Sequence, residues 1–148
     1  MKKILFSLFL CVITIVPVKA FELNSEHVVL YNLNDNQVVY EVQKDEMTSI
    51  ASLTKIMTTL VAIEHISNYN QQIVINQNMF VGLEDKQKVT YNDLLYGMFL
   101  ASGADATRAI SISLAGSEAN FVEWMNQKAK ELGLLHTHFE NTVGLDDA

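Results

Sequence analysis

Two short β-branched and aromatic runs near the start of the chain are followed by mainly helical periodicity, and this imbalance restricts the fold most. His27-Val-Val-Leu-Tyr-Asn-Leu33 and Val38-Val-Tyr-Glu-Val42 flank Asn34-Asp-Asn36, the pattern of a hairpin. From Ser52 to His65 the residues Ile56, Leu60 and Ile63 recur at helical spacing, with Met57 and Val61 widening the apolar face. Gln72-Ile-Val-Ile-Asn76 reads as a short strand. Thr90 and Asp93 form a capping box ahead of the helical run Leu94 to Leu100. Asp105 to Ala115 is a further helix stopped by Gly116. Ser117 caps the next helix, on which Phe121, Trp124, Met125 and Leu132 share a face, and Gly133 ends it. The fold class is therefore α+β, a helical cluster against an antiparallel sheet. A two-stranded hairpin is too small a sheet for so many helices to cover, so the pattern predicts an architecture incomplete at the C-terminus.

The first 20 residues stand apart from this pattern. Lys2 and Lys3 precede an apolar run from Ile4 to Val16, and Pro17-Val-Lys-Ala20 supplies a small residue at a cleavage point. A membrane-spanning helix needs about 20 apolar residues, so the run reads as a signal peptide over 1–20 rather than an anchor. Cys11 lies inside the run and not at its end, which argues against lipid attachment. What remains, 21–148, contains no Cys and no Pro. That excludes a disulfide framework and a cysteine-based zinc site, and leaves stability to burial alone. Cleavage removes three lysines and no acid, making the remainder more acidic than the −7 of the whole chain. Nucleic acid is an unsuitable partner for such a surface.

Ser52-Leu-Thr-Lys55 is the sharpest chemical feature. Positions i and i+3 are neighbours on one helix face, so a lysine one turn on reaches a serine hydroxyl on the first turn. Serine becomes a useful nucleophile when a base removes its proton, and lysine serves only when neutral. Burial and a helix N-terminus both disfavour the ammonium form. As an isolated tetrapeptide the pattern equally describes an N-cap and a solvated lysine.

The surroundings make it specific. Ala51-Ser-Leu-Thr-Lys-Ile-Met-Thr58 resembles the nucleophile segment of the low-molecular-mass penicillin-binding proteins, the serine-type D-alanyl-D-alanine carboxypeptidases. Leu94-Leu-Tyr-Gly-Met-Phe-Leu-Ala-Ser-Gly-Ala-Asp-Ala106 resembles their second motif. Phe121 to Gly133, with Thr137-His-Phe139 and Gly144-Leu-Asp-Asp147, resembles a third block in family order. The resemblance implies a β-lactamase/transpeptidase-like fold of which 21–148 is the N-terminal part. It implies that Ser52 attacks the penultimate D-alanine carbonyl of a peptidoglycan stem peptide ending in D-Ala-D-Ala. An acyl-enzyme forms, terminal D-alanine leaves, and water releases the shortened peptide. Lys55 matches the proton acceptor, and Ser102 matches the serine that relays protons to the leaving amine. The oxyanion hole would use the Ser52 N–H and an N–H from a strand not found in this chain. β-Lactams are implied as inhibitors and no cofactor is required. Export places the protein in the cell envelope, periplasmic or on the outer face of the cytoplasmic membrane, with membrane association only through a later C-terminal segment.

Two departures stand out. The second motif, Ser-x-Asn in the family, is here Ser102-Gly103-Ala104, which removes an amide that would hold the lysine and the substrate. No Lys-Thr-Gly occurs, so the chain carries two of three catalytic motifs and reads as truncated before the third. These departures keep open a catalytically silent relic or peptidoglycan- or β-lactam-binding module, and the shared Ser-x-x-Lys keeps open a class A β-lactamase, against which stands the lack of a Glu-x-x-x-Asn-type loop acid after the second motif. His136 and His138 read as loop histidines rather than metal ligands, because no third ligand lies nearby. Trp124 reads as core, and Glu84, Asp85 and Asp93 as solvated acids. Incomplete sheet edges and an uncovered helix face predict that 21–148 alone aggregates or packs loosely.

Overall fold

The computed structural model describes residues 23–76 and 86–145. The predicted signal peptide, Cys11, Glu84, Asp85, Asp146 and Asp147 lie outside these residues. The described chain forms two compact units divided after Met47.

The first unit is a hairpin. Strand β1 (Val28–Asn32) pairs antiparallel with β2 (Gln37–Val42), and Leu30 lies opposite Tyr40. The register shifts between Leu30 and Tyr31. Asparagine and aspartate make the reversal. The Asn32 side chain accepts from the Asn34 N–H and donates to Asp35, while Asn36 takes a left-handed φ of 52°. Val29, Leu30, Tyr31, Val38, Val39 and Tyr40 are all exposed, so apolar side chains stand free on both faces of this ribbon.

The second unit holds helices α1 (Thr54–His65), α2 (Tyr91–Leu100), α3 (Ala104–Ala115) and α4 (Glu118–Glu131). Strands β3 (Gln72–Val74) and β4 (Lys88–Thr90) pair antiparallel between α1 and α2. Helix α3 is the hub, packing against α1, α2 and α4. Val61, Leu94, Met98, Ile110, Phe121 and Met125 are fully buried among these elements, together with Ile75 just after β3. No helix among the described residues is long and apolar enough to cross a membrane.

Local chemistry explains the helix ends. Thr90 and Asp93 close the expected capping box on α2, and Ser117 Oγ accepts from the Asn120 N–H at the start of α4. Gly116, at φ 80°, ends α3 in the left-handed conformation that suits glycine. Three details differ from the sequence reading. The regular helix α1 begins at Thr54, because Ala51–Leu53 is a separate 3₁₀ turn. Its buried face is Thr54, Lys55, Met57, Thr58, Val61 and Ala62, whereas Ile56 and Ile63 are exposed. Hydropathy misplaced that face because a buried threonine is cheap once its hydroxyl is bonded, and Thr58 Oγ1 donates to the Thr142 carbonyl at 2.7 Å. Leu132 is exposed at the end of α4, while Phe121 and Met125 carry the core contact.

Candidate active site

The 3₁₀ turn Ala51–Leu53 lifts Ser52 out of the helix and leaves it exposed, while Lys55, on the first turn of α1, is buried at 6% accessibility. Lys55 Nζ lies 3.2 Å from Ser52 Oγ. On its other side Ser52 Oγ lies 3.1 Å from Ser102 Oγ, in the middle of the short segment joining α2 to α3. The structure therefore brings together the three residues singled out in the sequence. Burial lowers the Lys55 pKa from its ordinary 10.5, which favours the neutral amine.

Lys55 has another partner that sequence reasoning missed. Its Nζ donates to the Val143 carbonyl at 2.9 Å, a contact across 88 residues. A neutral amine has two N–H donors and one lone pair. With one N–H spent on the carbonyl, the lone pair is free to receive a proton from Ser52. A backbone oxygen so far along the chain leaves no mark on residue type. The only local hint is the turn-forming Asn141 and Gly144.

The backbone around these groups is constrained. Ala51 and Ser102 both have left-handed φ values, 44° and 52°. Such a conformation costs a non-glycine residue about 1–2 kcal/mol, so packing must hold it. At Ala51 the packing partner is Gly144, whose own φ is 76°. A Cβ there would sit 1.8 Å from the Ala51 carbonyl oxygen and 2.7 Å from Thr54 Oγ1. The 139–145 segment thus presses directly on the turn that carries Ser52. At the second motif the Gly103 N–H donates to the Gly97 carbonyl at 3.1 Å, and Thr107 Oγ1 donates to the Gly103 carbonyl at 2.7 Å. Ala104, which opens α3, offers no polar group toward Lys55. His136 and His138 lie in the segment after α4, and no group of three or more metal-ligating side chains occurs among the described residues.

A serine touched on one side by a buried lysine and on the other by a second serine is an arrangement for acyl transfer. The family model for D-alanyl-D-alanine carboxypeptidase matches residues 14–148. The chain belongs to this family. It is 34% identical over 129 residues to the D-alanyl-D-alanine carboxypeptidase DacF of Bacillus subtilis, a match covering 80% of this chain and 33% of that protein. Among solved structures it superposes on the D-alanyl-D-alanine carboxypeptidase DacD of Francisella tularensis with a TM-score of 0.78 and 33% identity. That match covers 86% of this chain and 33% of the other. The ampicillin-bound penicillin-binding protein D2 of Listeria monocytogenes matches with a TM-score of 0.74 and 27% identity, over 86% of this chain and 55% of its own. The chain thus spans about a third of the curated relative's length. The fold is that of the penicillin-binding DD-peptidases, α+β and β-lactamase-like, over its N-terminal portion.

Proposed function

We propose that this chain supplies the acylating half of a serine-type D-alanyl-D-alanine carboxypeptidase that trims peptidoglycan stem peptides and is inhibited by penicillins. The observation that carries the reading is the run of contacts Lys55–Ser52–Ser102, at 3.2 and 3.1 Å. Neutral Lys55 takes the Ser52 proton as Oγ adds to the penultimate D-alanine carbonyl. The tetrahedral intermediate collapses to an ester on Ser52, and the departing amine of D-alanine takes a proton through Ser102 from the Lys55 ammonium. Water then attacks the ester, activated by the same lysine, and releases the shortened peptide. The exposure of Ser52 suits a substrate as large as a cell-wall strand. The basic and apolar leader over 1–20 fits export to the envelope, where that substrate lies.

The test is covalent labelling with a fluorescent penicillin and D-alanine release from a D-Ala-D-Ala peptide, both on the purified protein. Labelling by the wild type and its loss in Ser52→Ala is the expected result. A wild type that neither labels nor releases D-alanine overturns the proposal. Ala104, standing where the family has asparagine, favours a second reading in which β-lactam or peptide is bound without turnover. Stoichiometric labelling with no D-alanine release would select that one.

A further inference from the structure

Lys55 leans on a carbonyl that belongs to a turn, and the turn is held by a carboxylate. Glu118 is the first residue of α4, and its Oε1 accepts from both the backbone N–H of Thr142, at 3.2 Å, and Thr142 Oγ1, at 2.7 Å. Its second oxygen faces Arg108 of α3, with Oε2 3.4 Å from Nε. Thr142 is completely buried and its carbonyl accepts from Thr58 Oγ1 of α1 at 2.7 Å. The next residue is Val143, whose carbonyl accepts from Lys55. The residue after that is Gly144, seated on Ala51. Inside the turn, Asn141 Oδ1 accepts from the N–H groups of Val143 and Gly144, at 3.1 and 2.7 Å. The carbonyl that orients the lysine therefore belongs to the residue immediately after the one the carboxylate clamps.

We propose that Glu118 is a positioning residue for the reaction: by clamping Thr142 at two points, it holds the Val143 carbonyl on Lys55 Nζ and so aims the lysine lone pair at Ser52. Three features support it. A charged acceptor taking two bonds from one residue is among the stronger and more directional clamps a protein makes. The segment it holds, 139–145, has no regular secondary structure of its own, so side-chain bonds decide where its carbonyls point. The second motif ends in Ala104, which brings no amide to the lysine, so orientation of Lys55 falls to the Val143 side. Arg108 Nε lies at ion-pair distance from the free oxygen of Glu118, 3.4 Å, without hydrogen-bonding to it. The inference rests on the proposed role of Lys55 as the base, and its test is chosen to be read without turnover.

The experiment measures the rate at which each lysine amine is acetylated by a dilute N-hydroxysuccinimide ester, site by site by mass spectrometry. The proteins are the wild type, Glu118→Ala, Glu118→Gln and Thr142→Val. In the wild type the buried Lys55 is expected to react slowly, and Lys130, exposed on α4, serves as the internal reference. Glu118→Ala removes both bonds to Thr142 and is expected to raise the Lys55 rate at least roughly tenfold relative to Lys130. Glu118→Gln keeps an acceptor for Thr142 and is expected to restore protection to within about twofold of the wild type. Thr142→Val removes only the hydroxyl bond and is expected to fall between them, and it decides the matter if Glu118→Ala does not fold. Lys55 rates unchanged across the variants overturn the proposal. So does a glutamine variant as exposed as the alanine variant, because an acceptor oxygen at position 118 would then not be what holds the turn. Penicillin labelling of the same samples is scored separately. A wild type that does not label refutes the carboxypeptidase reading while the amine rates still judge the clamp.

Discussion

At the scale of single residues, the proposed chemistry depends on a lysine whose ammonium form burial disfavours and on a glycine that leaves room for the Ala51 turn. Burial lowers the Lys55 pKa below 10.5. The base is the deprotonated form, whose fraction grows as pH rises through the folded pKa. Acylation of Ser52 by a labelled penicillin should therefore climb with pH and reach its midpoint below the pH at which an ordinary lysine is half neutral. A rate constant flat from pH 6 to 10 would remove Lys55 from the role. Gly144 is the steric counterpart. An alanine there meets the Ala51 carbonyl and keeps an unfavourable left-handed φ, so Gly144→Ala should destabilise the fold by roughly 2–4 kcal/mol and abolish labelling. Gly116 is the control. It has a similar φ of 80° with nothing within 4 Å of a new Cβ, so Gly116→Ala should cost only about 1 kcal/mol and leave labelling intact. Chemical denaturation of the two variants makes the comparison. Ser52, Lys55 and Ser102 were legible in the sequence because their chemistry is carried by side chains in recognisable local patterns. The Val143 carbonyl and the Gly144 contact were not, because one is a backbone atom and the other is an absence of atoms.

Elements were legible where their ends carry chemistry and less so where only hydropathy spoke. The Thr90–Asp93 box is reciprocal: Asp93 N–H donates to Thr90 Oγ1 at 3.1 Å and Thr90 N–H donates to Asp93 Oδ2 at 2.9 Å. That geometry follows from the spacing alone, and the sequence located α2 by it. Thr90→Ala should lower stability by about 1 kcal/mol. The bonds from the Thr90 side chain and backbone also lower the Asp93 pKa below 3.8. A depressed carboxylate contributes stability that is fully present above the unfolded value and lost as pH falls through the folded one. Acid unfolding of Thr90→Ala should consequently be less steep below pH 4 than that of the wild type; identical pH slopes would show that the box does not form. The buried face of α1 was misread for the opposite reason. Ile56 and Ile63 look like core, yet the core takes Thr54 and Thr58, and the Thr142 carbonyl that Thr58 bonds lies far along the chain. Strand β4 escaped notice because three residues, Lys88–Thr90, are too few to show an alternating pattern.

Over the whole molecule, the distribution of apolar surface is the property that follows least from any one element. The hairpin unit exposes Val29, Leu30 and Tyr31 on β1 and Val38, Val39 and Tyr40 on β2, and each strand alternates its side chains between two faces. In the helical unit, α1 exposes Ile56 and Ile63, and α2 exposes Tyr96, Phe99 and Leu100. A sheet of two strands leaves every outward N–H and C=O of both strands available for pairing, and free apolar edges invite association between copies. Residues 21–148 expressed alone should therefore sediment as a concentration-dependent mixture rather than as one species. They should also bind a hydrophobic dye such as ANS more strongly than a folded enzyme of similar size. Replacing Val39 and Leu30 by lysine and glutamate puts unlike charges on the ribbon and disturbs none of the fully buried side chains of the second unit. It should shift the mixture toward monomer, while the Lys55–Ser52–Ser102 contacts persist. Sedimentation velocity of the double variant against the parent decides this: a monomeric parent would mean that the apolar faces of the ribbon are covered in solution.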